Sequence, residues 1–366
     1  MIRIARFTVE RWSSLVPPLA LVLLVAAWGR TLPGAAVAVV AVCLAGAVLA
    51  AVHHAEVVAH RVGEPFGSLV LAVAVTIIEV ALIVTLMSDG GPKNATLARD
   101  TVFAAVMITC NGIVGLALLS AALRRKTAVF NAEGTGAAFA TVTTLAGLSL
   151  VIPTFTTSKP GPEFAPAQLV FAALASVFLY GLFVATQTFR HRDYFLPVTR
   201  QGEVMREDDH ANPPSRRTMF ISLGLLGVAL LAVVGLAKSV SPALESGVAA
   251  AGLPPAVVGV VIALLVLLPE TIAAVRAARR DRVQTSLNLA YGSAMASIGL
   301  TIPAVALASI WLSGPLVLGL DPTHMVLLAL TVATGSLTIV PGRATLMQAG
   351  VHLSLFGAYL VLAANP

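Results

Sequence analysis

Apolar runs near twenty residues long recur from one end of this chain to the other, and they decide what it can become. A run of that length crosses the roughly 30 Å hydrocarbon core of a bilayer as one helix. In lipid, a helix meets every backbone hydrogen bond within its own segment. Eleven such runs are recognised: Leu15–Trp28, Pro33–Val52, Ser68–Met87, Thr101–Leu123, Gly136–Ile152, Ala167–Thr188, Thr218–Ala237, Pro255–Val275, Thr285–Leu312, Thr323–Val340 and Ala344–Ala363. Only 11% of the residues are charged, against about 25% in a soluble domain. The expected fold is an all-α polytopic membrane protein with eleven transmembrane helices.

The charges between the runs test this division. With the N-terminus in the cytoplasm and strict alternation, 18 of the 23 Lys and Arg residues fall on the cytoplasmic side and 5 on the outer side. That is the bias membrane insertion imposes. The net charge of +6 therefore reflects short loops, not a nucleic-acid surface. The first run follows Arg3, Arg6 and Arg11 but has no small-x-small cleavage site, so it reads as a retained helix. No GxxxxGK phosphate loop occurs, which leaves an ion gradient or a partner subunit to drive any transport. Cys43 and Cys110 sit in apolar runs with neither disulfide nor zinc spacing.

Two carboxylates break the apolar pattern. Glu79 stands in Ser68–Met87 and Glu270 in Pro255–Val275. Each costs about 2.5–3.5 kcal/mol at a helix centre on insertion scales, so each marks a site by default. The segments around them are related. Glu79 is followed by Arg99-Asp100 and a helix containing MITCNGIVGL; Glu270 is followed by Arg280-Asp281-Arg282 and AYGSAMASIGL. Aligning Gly115 with Gly299 sets Thr109 opposite Ser293. The third run passes outward and the eighth inward, so residues 33–188 and 218–366 read as two five-helix repeats of inverted topology. Residues 1–32 form the N-terminal segment and first helix, and 189–217 a cytoplasmic linker. Inverted repeats place a binding site near the midplane where they meet. The linker carries Glu203, Glu207, Asp208 and Asp209 among arginines. It reads as a solvated connection, with a cation patch at Asp208, Asp209 and His210 as the alternative.

Two stretches carry a family resemblance: HHAEVVAHRVGEPFGSLVLAVAVTIIEVALI (His53–Ile83) and LLPETIAAVRAARRDRVQTSLNLAYGSAMASIGLTIP (Leu267–Pro303). Both resemble the bacterial ChaA-type calcium/proton antiporters of the calcium:cation antiporter superfamily, and the resemblance runs over nearly the whole chain. It implies eleven helices, two inverted repeats and a cation site on the repeat glutamates, which map onto Glu79 and Glu270. The Gly-Asn that precedes each glutamate in the wider superfamily is absent here. No cofactor is implied. Calcium and protons are the expected cargo, with sodium or potassium in place of calcium as the alternative. The implied location is a bacterial cytoplasmic (inner) membrane with the N-terminus cytoplasmic; the oligomeric state stays open.

Calcium takes about 6–8 oxygen ligands. Two carboxylates supply two to four. Thr76, Thr109, Asn111, Thr271, Ser293, Ser297 and carbonyls freed by Pro269 are the candidates for the remainder. Ser293 and Ser297 share a helix face, and helix–helix packing by small residues is the stronger reading of that pair; for Asn111, interhelical hydrogen bonding without ion contact is an equal alternative. Two ionised glutamates with one calcium sum to zero, as do two protonated glutamates. Only the empty site is highly charged, so reorientation while loaded is favoured, which is the rule of antiport. A second cluster, His53, His54, Glu56, His60 and Glu64, lies near the end of the second run. It reads as a solvated helix end, or as a proton relay or pH sensor. An intramembrane metal-dependent enzyme is the remaining alternative, although the spacing is not HExxH. His352 reads as a packed, hydrogen-bonded histidine, and His324 lies near the outer surface.

Overall fold

The computed structural model describes residues 2–30, 32–63, 66–88, 95–198, 214–311 and 314–366. Glu64, Glu203, Glu207, Asp208, Asp209 and His210 lie outside the described residues. Helices dominate: α1 (Ile2–Ala27), α2 (Gly34–Val62), α3 (Phe66–Ser88), α4 (Leu97–Arg125), α5 (Ala132–Phe155), α6 (Pro166–Arg190), α7 (Arg216–Ala250), α8 (Ala256–Val266), α9 (Leu268–Arg279), α10 (Val283–Ala308), α11 (Pro322–Ile339) and α12 (Leu346–Ala364). Two three-residue strands, β1 (Thr127–Val129) and β2 (Arg343–Thr345), pair antiparallel with Thr127 opposite Thr345. Among the described residues, eight helices are long and apolar enough to cross a membrane, and a ninth span forms if α8 and α9 count as one bent helix. Trp12–Ala27 and Val73–Thr85 are shorter apolar helices.

Local chemistry sets the helix ends. The Asn131 side chain accepts from the Glu133 and Gly134 N–H groups and opens α5. Ser215 caps α7 at Thr218, and Asp321 caps α11 at His324 with Pro322 in the first turn. These oxygens satisfy N–H groups that have no partner inside the helix. Gly63, at φ 76°, ends α2 in a conformation that a side chain would resist.

Several boundaries differ from the hydropathy reading. α7 continues to Ala250, well past Ala237. Its 35 residues make a rod of about 52 Å, longer than the hydrocarbon core. Hydropathy follows the apolar stretch alone, whereas the helix carries on through Lys238 and Glu245. Ala344 lies in β2, so the last helix starts at Leu346. The eighth run is broken: α8 and α9 meet at Leu267 with a 52° bend. Pro269 sits in the first turn of α9, where its missing N–H is least costly.

By packing, the described chain forms two compact units. One comprises Met1–Asp89 with His210–Val258, the other Gly90–Asp209 with Gly259–Pro366. In the first, α2 lies along α7, and α1 and α3 pack on the same long helix. Gly235 of α7 makes room for Leu24 of α1.

The second unit is built around α4, whose apolar window is 89% buried. Gly115 of α4 faces Leu353 of α12, and Gly299 of α10 faces Tyr180 of α6. Small residues at these positions let the helices approach closely. The connecting segments of this unit sort to two ends. At one, Arg125 pairs with Asp281 at 2.5 Å, Arg124 donates to the Arg279 carbonyl, Asn288 donates to the Phe195 carbonyl, and β1 pairs with β2. At the other, Arg99 donates to the Gly319 carbonyl, Val317 to that of Ala95, and Leu320 to that of Leu150. Asp321 belongs to this second end. Burial alone would lift its carboxyl, but the His324 N–H, the His324 ring 2.6 Å away and the Arg99 charge outweigh that and hold it below the usual carboxylate range.

Gly134 shows how tightly the first end is closed. A Cβ there would run into the Tyr194 backbone carbonyl, which cannot swing aside as a side-chain tip would. Gly134→Ala is therefore expected to destabilise the protein by about 1–3 kcal/mol, read as a lowered thermal-unfolding midpoint of the purified protein in detergent. A midpoint equal to or above that of the unaltered protein would contradict this packing.

Candidate functional site

Glu79 lies in α3, buried to 3% exposure, and Thr76 precedes it by one turn, buried to 6%. Residues three apart on a helix share a face, so this hydroxyl and carboxylate are presented together. The rest of that stretch is apolar, with Val75, Ile78, Leu82 and Ile83 buried around them. Both residues belong to the first unit.

Glu270 belongs to the second unit and occupies the first turn of α9, just past the bend. It is half-buried, as are Pro269 and Thr271. A helix N-terminus carries unpaired N–H groups and partial positive charge, which favours a carboxylate there. The Thr271 hydroxyl donates to the Leu267 carbonyl at 2.7 Å, within the same bend. Pro269 has no N–H to give to the Leu265 carbonyl one turn earlier. The broken span therefore presents an acid beside a backbone segment with weakened helical bonding, the arrangement transporters use to line an ion site.

Two further elements of that unit pack against α9. One is α10, which carries Ser293, half-buried, and Ser297, buried to 2%. The other is α4, which winds as a π-helix over Ile108–Ile113, the stretch that holds Thr109 and Asn111. Wide turns of this kind recur at functional sites. Thus Glu270, Thr271, Thr109, Asn111, Ser293 and Ser297 are carried by three mutually packed helices. The Thr109 hydroxyl donates to the Ala105 carbonyl at 2.7 Å, which leaves its lone pairs as its contribution to any ligand.

Asn111 is tied into a buried network that hydropathy did not reveal. Its amide donates to the Thr331 hydroxyl at 2.8 Å, and Thr331 donates onward to the Leu327 carbonyl at 2.8 Å. Its side-chain oxygen accepts from His352 Nδ1 at 3.1 Å, and His352 Nε2 lies 3.2 Å from the Thr338 hydroxyl. With the proton on Nδ1 and Thr338 donating to Nε2, every one of these groups is satisfied. The network joins α4, α11 and α12, and all four side chains are 3% exposed or less. The expectation of a packed, hydrogen-bonded His352 agrees with this. Thr331 and Thr338 had no sequence signal, since their role depends on partners 220 and 14 residues away.

The histidine cluster divides across α2. His53, Glu56 and His60 are exposed along one face, while His54 is buried at 3% and donates through Nε2 to the Ser13 carbonyl at 2.9 Å. Among the described residues, no three His, Cys, Asp or Glu side chains gather as a metal-holding group.

A family model described as sodium/calcium exchanger protein matches residues 32–189 and 221–365. A Sinorhizobium fredii protein named as an ionic transporter is 46% identical over 365 residues, covering 98% of this chain and 97% of that protein. The sodium-potassium/proton antiporter ChaA of Escherichia coli is 33% identical over 354 residues, covering 95% of each. The solved structure of the H+/Ca2+ exchanger CAX shares the fold with a TM-score of 0.70 at 18% identity, covering 97% of this chain and 88% of that one. The chain belongs to the sodium/calcium exchanger family, a family of ion exchangers and not of enzymes.

Burying Asn111 and His352 together makes each necessary to the other. Asn111→Leu strands the His352 Nδ1 donor and the Thr331 oxygen, and His352→Leu strands the Asn111 oxygen and the Thr338 hydroxyl. Each is expected to cost about 1–3 kcal/mol per stranded group, and the double variant less than the sum of the two. Thermal unfolding of the three variants in detergent measures this; strict additivity would contradict a shared network.

Proposed function

We propose that this chain is a secondary active antiporter of a bacterial inner membrane that exports calcium in exchange for protons, binding both in turn at Glu79 and Glu270. On this reading eleven helices cross the membrane from a cytoplasmic N-terminus, and residues 33–188 and 218–366 are inverted repeats joined by 189–217. Each repeat donates one glutamate. The observation that carries the reading is a pair of carboxylates in otherwise apolar spans, one buried to 3% and one at the mouth of a broken helix. The two-ended sorting of the connecting segments supports the alternation of the spans, and family membership supports exchange as the task.

The mechanism follows from charge. Two carboxylates and a calcium ion are neutral together, and so are two carboxylic acids. The empty site carries two negative charges, and desolvating them costs several kcal/mol per ion. The site therefore swings between the two faces when filled and stalls when empty. Thr76, Thr109, Asn111, Thr271, Ser293 and Ser297 complete the oxygen shell with carbonyls near Pro269. His53, His54, Glu56, His60 and Glu64 serve as a relay or sensor at one face. An inward proton gradient sets the direction as cation export.

Exchange of sodium or potassium for protons is the second reading. It is favoured by the relative at 33% identity, which is named for those ions. A monovalent ion leaves one glutamate to be neutralised separately, by a retained proton.

Glu79→Gln and Glu270→Gln are each expected to lower proton-driven calcium flux in proteoliposomes by roughly 100-fold or more, with the protein still folded. Flux near that of the unaltered protein from either variant would defeat the assignment. In the same assay, excess sodium or potassium should leave calcium flux nearly unchanged. Strong suppression of calcium flux by either ion, together with proton-coupled uptake of that ion, would move the assignment to the second reading.

A further inference from the structure

Where β1 meets β2, the fold gathers positive charge from three distant parts of the chain. The end of α4 brings Arg124, Arg125 and Lys126; the α9–α10 turn brings Arg279, Arg280 and Arg282; β2 brings Arg343. Three contacts hold these segments together: Arg124 on the Arg279 carbonyl, Arg125 on Asp281, and Val129 opposite Arg343 across the strand pair. All belong to the second unit. Asp281 is committed to Arg125 at 2.5 Å. Lys126, Arg280 and Arg343 are exposed, and among the described residues none of their charged side-chain groups is held in an ion pair or a side-chain hydrogen bond.

Insertion rules ask for cations on one side of a membrane protein, but they do not ask that contacts join three distant cation-bearing segments at one end. Like charges gathered at one end of a unit repel one another, and an anion among them relieves that repulsion. The surroundings indicate which anion. Leu123, directly before Arg124, is 69% exposed; Leu346 and Met347, just after β2, are 51% and 74% exposed. They sit on α4 and α12, which pack together at this end. Exposed apolar side chains beside exposed cations match a ligand with a hydrocarbon tail and an anionic head.

We propose that this surface binds the headgroup of an anionic phospholipid of the surrounding bilayer. Lys126, Arg280 and Arg343 hold the phosphate, and Leu123, Leu346 and Met347 lie along the acyl chains. Cations at the ends of membrane helices lie at headgroup level, where each gains from anionic lipid. The inference is independent of which ions the protein exchanges.

The test uses the full chain purified in detergent, with bound lipid counted by native mass spectrometry after adding phosphatidylglycerol or phosphatidylcholine. Phosphatidylglycerol should be retained at least ten-fold better. Removing all three charges (Lys126→Gln, Arg280→Gln, Arg343→Gln) should erase that preference, at about five-fold per cation. Arg216→Gln with Arg217→Gln, in the first unit, should leave it in place. If the triple variant fails to fold, the unaltered protein still decides: 1 M salt should strip the preference seen at 0.1 M. Equal retention of the two lipids by the unaltered protein would overturn the proposal. Displacement of the lipid by millimolar inorganic phosphate would overturn it too, since a free phosphate would then be the ligand.

Discussion

A carboxylate inside hydrocarbon must be neutralised, and on the proposed reading that single electrostatic demand organises the exchange site. It explains why Glu79 and Glu270 are worth the cost of inserting them. Glu79 is buried to 3% within its own unit, and Glu270 sits where a helix N-terminus offers partial positive charge. The same demand supplies a transport rule. On the proposed reading, a site that is neutral only when filled cannot reorient cheaply when empty, and exchange follows without any further device.

The backbone around Glu270 is the costly part of the design. Breaking α8 from α9 by 52° gives up regular helical hydrogen bonds in a segment that otherwise reads as one apolar span. The π-helical turn at Ile108–Ile113 is a second departure in a helix that packs against α9. Irregular backbone is tolerated in a membrane where protein or a watery cavity surrounds it. The network of Asn111, Thr331, His352 and Thr338 pins the π turn to α11 and α12 with every polar group satisfied. Rigid support behind an irregular turn is what a site needs if its oxygens are to hold a geometry.

Much of this was legible in the residues, for a clear reason. Bilayer thickness fixes helix length, so hydropathy located the apolar helices to within a few residues at most ends. An isolated acid in such a helix is conspicuous, so Glu79 and Glu270 stand out as candidates from the residues alone. His352 was read as a bonded core histidine, and the hydrogen bonds agree. What escaped were features decided by distant partners. The three-residue strands at Thr127 and Arg343 have no periodicity to detect, and they exist because each completes the other. Thr331 and Thr338 look like ordinary helix threonines until Asn111 and His352 are seen beside them. The extension of α7 to Ala250 hid behind Lys238 and Glu245, which end the apolar run without ending the helix.

Antiport at one site requires that metal and protons occupy it in turn. Proton release on calcium binding measures that most directly: calcium is added to the purified protein in weakly buffered detergent solution, with a pH indicator present. Binding should release protons, and the variant carrying both Glu79→Gln and Glu270→Gln should release none. Calcium that binds to the unaltered protein with no proton released would contradict the account at its centre.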